Sequence, residues 1–237
     1  MNDTSNTNDK NNSITYIFRL ESGVEHSFDV DFDRPVASGA LPDWTLLETN
    51  KCEHCPLASG PGARCPAAAD LVPIVERFSA LASIETVDVR IVRAQYEAHK
   101  HTDTQTALSA LMGLILATSA CPILSRMRPL AQTHLPFPTE TESVYRIAAM
   151  HLLGSYLAGA TPDLAKLDAL FADLAKLNEA FARRLKRAIQ NDAGINALVV
   201  LHSQSMVAGY SIDEKLDEIR AWFGLGPGQQ IIGKLCL

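Results

Sequence analysis

Between two stretches that alternate like β-strands lies a run, Pro35 to Pro66, with no hydrophobic period at all. It is rich in Pro, Gly and Cys. An irregular segment of that length inside a compact domain is either functional or held by something other than a core. Its centre, Lys51 to Pro66, reads KCEHCPLASGPGARCP. Cys52 and Cys55 form a C-x-x-C pair, and Cys65 follows after nine residues of turn chemistry. The short spacing lets both sulfurs converge on one ion, and Ser59-Gly60-Pro61-Gly62 can fold the chain back to return Cys65 to the same place.

A closed tetrahedral site needs a fourth ligand. Cys121 is the first choice, because it opens another Cys-Pro segment; His54, His99, His101 and His134 are the reserves. In Cys65-Pro66 and Cys121-Pro122 the proline suits the first helical position and the cysteine suits the cap. Amide donors at a helix start would favour thiolate, the form that binds metal. The first functional reading is therefore a metal-binding protein of structural or sensory role. Its cofactor is zinc or an iron–sulfur cluster, undecided between them, held by Cys52, Cys55, Cys65 and Cys121. Arg126 and Arg128, close behind Cys121, are candidates for balancing the site's charge or receiving an anionic ligand.

A second reading is enzymatic. Cys52-Glu53-His54-Cys55 resembles the C-x-H-C centre of thiol–disulfide oxidoreductases, which implies Cys52 as nucleophile and Cys55 as resolving thiol. The resemblance covers four residues. Pro56 and the Gly-Pro turn behind it depart from that family, where the pair opens a helix. A third reading is an interaction module: Leu164, Leu167, Phe171, Leu174, Phe181 and Leu185 recur at helical spacing and offer a homodimer seam.

The flanks give the fold class. Tyr16, Phe18 and Leu20 share one face, and Phe28, Val30 and Phe32 alternate likewise after Glu21-Ser22-Gly23. Val87, Val89 and Ile91 repeat the pattern, followed by a polar strand from Gln95 to His101. Two hairpins predict a small N-terminal antiparallel sheet. His99 and His101 then project to one face, on what reads as an exposed edge strand. Helices are predicted at 66–81, 103–119, 122–131, 140–158, 162–190, 193–208 and 211–223. Capping-box spacing supports three of them, at Thr102 with Gln105, Thr139 with Glu142 and Ser211 with Glu214. The whole is α+β: a disordered tail over 1–13, an α+β part over 14–102 carrying the cysteine loop, and a helical part over 103–237.

Composition narrows the partners. The net charge is −6, with 21 basic against 27 acidic residues, which argues against a nucleic-acid surface. The basic cluster Arg183, Arg184, Lys186 and Arg187 reads as a solvated helix face. The apolar run Ala107 to Ala120 is too short to span a bilayer, so no membrane is expected. The opening MNDTSNTNDKNNS lacks the order of a signal peptide, and a cytoplasmic, reducing setting is expected. Phosphate-loop, dinucleotide and Ser-His-Asp signatures are absent.

Trp44 through the cysteine loop, DVRIV at 88–92, TALSALMGLILATSACPILSRMRP at 106–129 and HLPFP at 134–138 together resemble an uncharacterised conserved bacterial family. The resemblance spans most of the chain. It implies a bacterial source and an established fold, and carries no assigned activity.

Overall fold

The computed structural model describes residues 12–79, 81–163, 166–188 and 212–226. Residues 1–11 of the predicted tail over 1–13, the helix at 193–208, the Ser211 cap, His202, Leu164 and the segment after 226 lie outside them, while Ser13 of that tail opens the first strand.

The sheet has four antiparallel strands: β1 (Ser13–Leu20), β2 (Glu25–Asp31), β3 (Thr86–Arg93) and β4 (Tyr96–Asp103). Their order is β2-β1-β3-β4, so the two predicted hairpins join through their first strands. Gly23, at a φ of +82°, makes the β1–β2 turn, a conformation that costs a residue with a Cβ. Period-two alternation sends Ile14, Tyr16, Phe18, Phe28, Val30, Val87, Val89 and Ile91 to one face, and all are buried. Each such side chain contributes about 1.5–3 kcal/mol by leaving water.

That face is covered from between the hairpins and from behind them. Helix α1 (Pro66–Asp70) starts at Cys65 with Pro66 in its first turn, as the Cys-Pro reading predicts. Helix α2 (Val72–Phe78) follows directly, so the predicted 66–81 helix is two short ones meeting at Leu71. Pro73 explains the break, because it cannot donate to the preceding turn. From α2, Phe78 packs edge-on against Phe18, 5.1 Å between centroids, and stacks on Phe28. Helix α3 (Thr104–Ala117) buries Leu108, Leu111, Met112, Leu114 and Ile115. Its cap is Asp103, which accepts from the Thr106 amide at 2.8 Å, and not Thr102. Thr102 is still paired with Val87 in the sheet, so the strand runs on to the cap.

Behind α3, the predicted 122–131 helix is a 3-10 turn at Leu124–Met127 followed by α4 (Arg128–Gln132). Helix α5 (Glu140–Leu157) carries the predicted capping box: Thr139 and Glu142 exchange side-chain to backbone bonds. Helix α6 (Leu167–Leu185) begins five residues later than the spacing predicts, and Thr161 to Asp163 lie outside any helix. Helix α7 (Ile212–Trp222) is the last described. The class is α+β, a small N-terminal antiparallel sheet followed by helices. No described helix is long and apolar enough to cross a membrane.

The chain divides into two compact units, the first drawn from Met1–Phe137 and Lys176–His202, the second from Pro138–Ala175 and Ser203–Leu237. In the second, α5 and α7 pack through Tyr145 and Trp222, 5.5 Å between centroids, beside the Lys215–Glu140 pair at 3.8 Å. The first holds the sheet and the cysteine loop.

Candidate functional site

The loop from Asp33 to Cys65 closes by a device that periodicity cannot show: arginines donating to backbone carbonyls. A short antiparallel bridge pairs Leu46 with Arg64, with Leu47 N to Ala63 O at 2.8 Å and Cys65 N to Thr45 O at 2.8 Å. Arg64 donates to Pro42 O at 2.7 Å and to Thr45 Oγ1 at 2.9 Å. At the loop's start, Arg34 ties together Asp70 Oδ2 at 2.7 Å, Ile115 O at 2.8 Å and Thr118 Oγ1 at 2.7 Å. Arg34 thereby caps the end of α3, whose last carbonyls have no partner within the helix. Burial holds the Asp70 carboxyl above its ordinary range, and the Arg34 charge only partly offsets it.

Arg184, on α6, is the third staple. Its guanidinium donates to Trp44 O at 2.7 Å, Leu46 O at 2.5 Å, Leu47 O at 3.1 Å and Asn50 O at 3.3 Å. Only 2% of it is exposed. The solvated-face reading of the basic cluster fails at this residue, while Arg183, Lys186 and Arg187 are exposed. The signal was present in the spacing: Leu177, Phe181 and Arg184 fall at i, i+4 and i+7, on the apolar stripe.

Cys52, Cys55, Cys65 and Cys121 line one chamber with Leu177, Phe181 and Arg184, enclosing about 10 Å³ of free space. That is room for about one water molecule. All four face this chamber, but they do not form the expected ligand cluster. Among the described residues, no group of three or more His, Cys, Asp or Glu side chains is arranged to hold a metal ion. The metal-binding function does not survive this. Nor do the cap positions favour thiolate. Burial, reinforced by the neighbouring thiols of Cys65, Cys55 and Cys121, pushes the Cys52 thiol up from 9.0 to about 11, with Arg184 pulling the other way. Burial also raises Cys65 and Cys121, against the amide of Ala68 for one and those of Leu124 and Ile123 for the other. Desolvation wins because a buried thiolate loses its hydration, and a few amide dipoles do not replace it.

The oxidoreductase reading fails on the same observation. An attacking thiol needs a lowered pKa, and Cys52 moves the other way. All four described cysteines are free. The interaction-module reading rested on the stripe of α6, and Leu167, Phe171, Leu174, Phe181 and Leu185 are all buried within the chain itself.

The remaining candidates fall elsewhere. Arg128 pairs with Asp33, Arg126 is exposed, and neither lines the chamber. His134 shares a 2.6 Å hydrogen bond with the buried Tyr16 hydroxyl, and its carbonyl accepts from Tyr96 at 2.8 Å. Burial pushes the Tyr16 phenol well above its ordinary value. His54 has both ring nitrogens buried without a hydrogen-bond partner among the described residues.

A second concavity lies on the open face of the sheet, a groove of about 410 Å³ whose lining includes Ile17, Arg19, Glu25, Asp88, Arg90, His99, Lys100 and His101. Register builds it. Glu25, Arg19, Asp88 and His101 stand directly opposite one another across the four strands, alternating acid and base. The next row is Ser27, Ile17, Arg90 and His99. Within it, His101 Nδ1 lies 2.8 Å from Asp88, and Glu97 lies 2.7 Å from His99 Nε2 and 3.5 Å from Arg90. The His99 hydrogen bond, with Arg90 behind it, holds the Glu97 carboxyl below its ordinary range. Arg19 has no hydrogen-bond or ion-pair partner among the described residues.

A family model covers residues 14–224, from the second residue of β1 to just beyond α7. The chain belongs to the family of the domain of unknown function DUF6901. Its DUF6901 region thus takes in the sheet, both loop ends and every residue of the chamber and the groove. No curated protein and no solved structure matches the chain.

Proposed function

We propose that this DUF6901 chain is a binding protein whose ligand is a small organic anion, taken on the open face of the sheet. The observation that carries the reading is the unpaired Arg19 guanidinium beside Arg90, on a groove floored by Ile17. Arg19 and Arg90 are diagonal neighbours on β1 and β3, within reach of one ligand. A planar guanidinium matches a carboxylate, sulfonate or phosphate with two parallel donors. Ile17 offers an apolar body a dry contact between them, and Glu25 and Asp88 bound the site and reject a second negative group at that end. Such a groove, half open to solvent, suits a small ligand held by a few polar contacts.

Calorimetric titration with benzenesulfonate tests this, since its charge is fixed at all working pH. Saturable one-to-one binding is expected, with Arg19→Gln and Arg90→Gln each weakening it by about tenfold, the loss of one charge-assisted contact. Arg183→Gln, an exposed α6 residue paired only with Glu179, should bind as the unaltered chain does. No saturation at millimolar ligand, or equal weakening in all three variants, overturns the reading.

A further inference from the structure

We infer that anion binding on this face is proton-linked, with His99 and His101 as the groups that set ligand affinity. The inference rests on the anion-binding reading above and deepens it.

The argument is geometric. Glu97 Oε1 is shared between His99 at 2.7 Å and Arg90 at 3.5 Å. Asp88 is bonded to His101 at 2.8 Å and stands directly opposite Arg19 on the other side. Glu97 is therefore contested by one imidazole and one ligand-facing guanidinium, while the Asp88 charge lies beside the unpaired Arg19 and is answered by His101 alone. Histidine is the side chain whose charge changes between about pH 5 and 8. A neutral imidazole holds its carboxylate by a hydrogen bond alone and leaves its charge to the arginine. A protonated one forms a full ion pair, neutralises that charge and releases the guanidinium to the ligand. Two protons thus add two positive charges to the groove, and the one on His99 also frees Arg90 from Glu97.

The surroundings favour this. Besides Glu97 and Asp88, the charged groups on this face are Arg90, Arg19, Glu25, Asp29 and Asp31, with Asp103 at the end of β4 and Glu21, bonded to Thr86, at the same end. Asp29 is held by the Thr15 hydroxyl at 2.6 Å, three strands over from the histidines, and Asp103 by the Thr106 amide. Lys100 points to the opposite face, its ammonium 4.5 Å from the Phe137 ring centroid. The imidazoles therefore have no competing cation on their own strand. Both are two-thirds exposed, so protons and ligand reach them without opening the fold.

The test is the benzenesulfonate titration at about pH 8 and about pH 5.5. Binding should tighten about tenfold at the acid end, roughly threefold from each exposed ion pair. The double variant His99→Gln, His101→Gln should bind at both values with the weak affinity of the unaltered chain at about pH 8. Linkage is reciprocal, so saturating benzenesulfonate should raise the titration midpoints of both imidazoles, read by NMR on the unaltered chain. That second readout stands even where the double variant folds poorly. Equal affinity at both pH values with unmoved midpoints overturns the proton linkage and leaves the anion reading intact. No binding at either pH overturns both.

Discussion

The Arg184 guanidinium donates at 2.7 Å to the carbonyl of Trp44, 140 positions earlier in the chain. Its second bond in the same fork reaches Leu46 O, and its other nitrogen reaches Leu47 and Asn50. One buried cation thus serves four carbonyls around a 3-10 turn at Asp43–Thr45, of which Leu46 O also accepts from the Thr49 amide. A buried charge is tolerated only where hydrogen bonds replace its hydration, and the loop supplies them.

Arg184→Met should accordingly destabilise the chain by about 3–5 kcal/mol, because it removes the donor to the Trp44, Leu47 and Asn50 carbonyls and leaves Leu46 O only the Thr49 amide. Arg184→Lys keeps the charge but loses the planar fork, and should recover roughly half of that. Urea unfolding followed by circular dichroism measures both; a Met variant as stable as the parent would show that the staple contributes nothing.

Cys52 should react as a reluctant thiol. With its pKa raised to about 11 from the ordinary 9.0, iodoacetamide labelling near neutral pH should be about a hundredfold slower than that of an unperturbed cysteine. The rate should climb with pH until about 11, read by mass spectrometry of the Cys52 peptide. The sign for stability follows: the folded state holds this proton more tightly than the unfolded one, so stability is intact below 9.0 and declines as pH rises towards about 11. A labelling plateau at or below the ordinary value would contradict the buried chamber.

Tyr16→Phe removes the hydroxyl that pairs with His134 Nε2 at 2.6 Å. The ring still fills the core, so the expected loss is that of one buried hydrogen bond, about 1 kcal/mol. A neutral result in thermal unfolding would mean that His134 finds another partner.

His54→Leu should go the other way. Both imidazole nitrogens are buried without partners among the described residues, and replacing an unsatisfied polar group with an apolar one of similar size is expected to stabilise by about 1 kcal/mol. Loss of stability in the same unfolding assay would reveal a partner for that ring.

Thr139→Ala opens the capping box of α5, in which the Thr139 hydroxyl accepts from the Glu142 amide and Glu142 returns a bond to the Thr139 amide. The cost should be about 1 kcal/mol, and amide exchange at the start of α5 should quicken before that of the sheet.

The strands, the hairpin turn at Gly23, the α3 and α5 helices and the burial of Phe18, Phe28 and Val89 were legible in the sequence. They depend on local periodicity and on capping within four residues, which any stretch carries by itself. The Cys-Pro contexts of Cys65 and Cys121 pointed to a shared metal site, and what the chamber they line does to its thiols was not legible there. A thiol's pKa follows from the water it loses, and that loss is set by Leu177, Phe181 and Arg184, which lie more than a hundred residues beyond the cysteine loop. The open face of the sheet was half visible, in the alternation of His99 and His101. Its row of Glu25, Arg19, Asp88 and His101 came only from register, because β1 pairs with β3 across the whole cysteine loop. The sequence by itself determined which elements form and which face of each is apolar. The tertiary structure decided which charges meet, because a guanidinium is soluble or buried according to the carbonyls it finds, and those are fixed by contacts between distant segments.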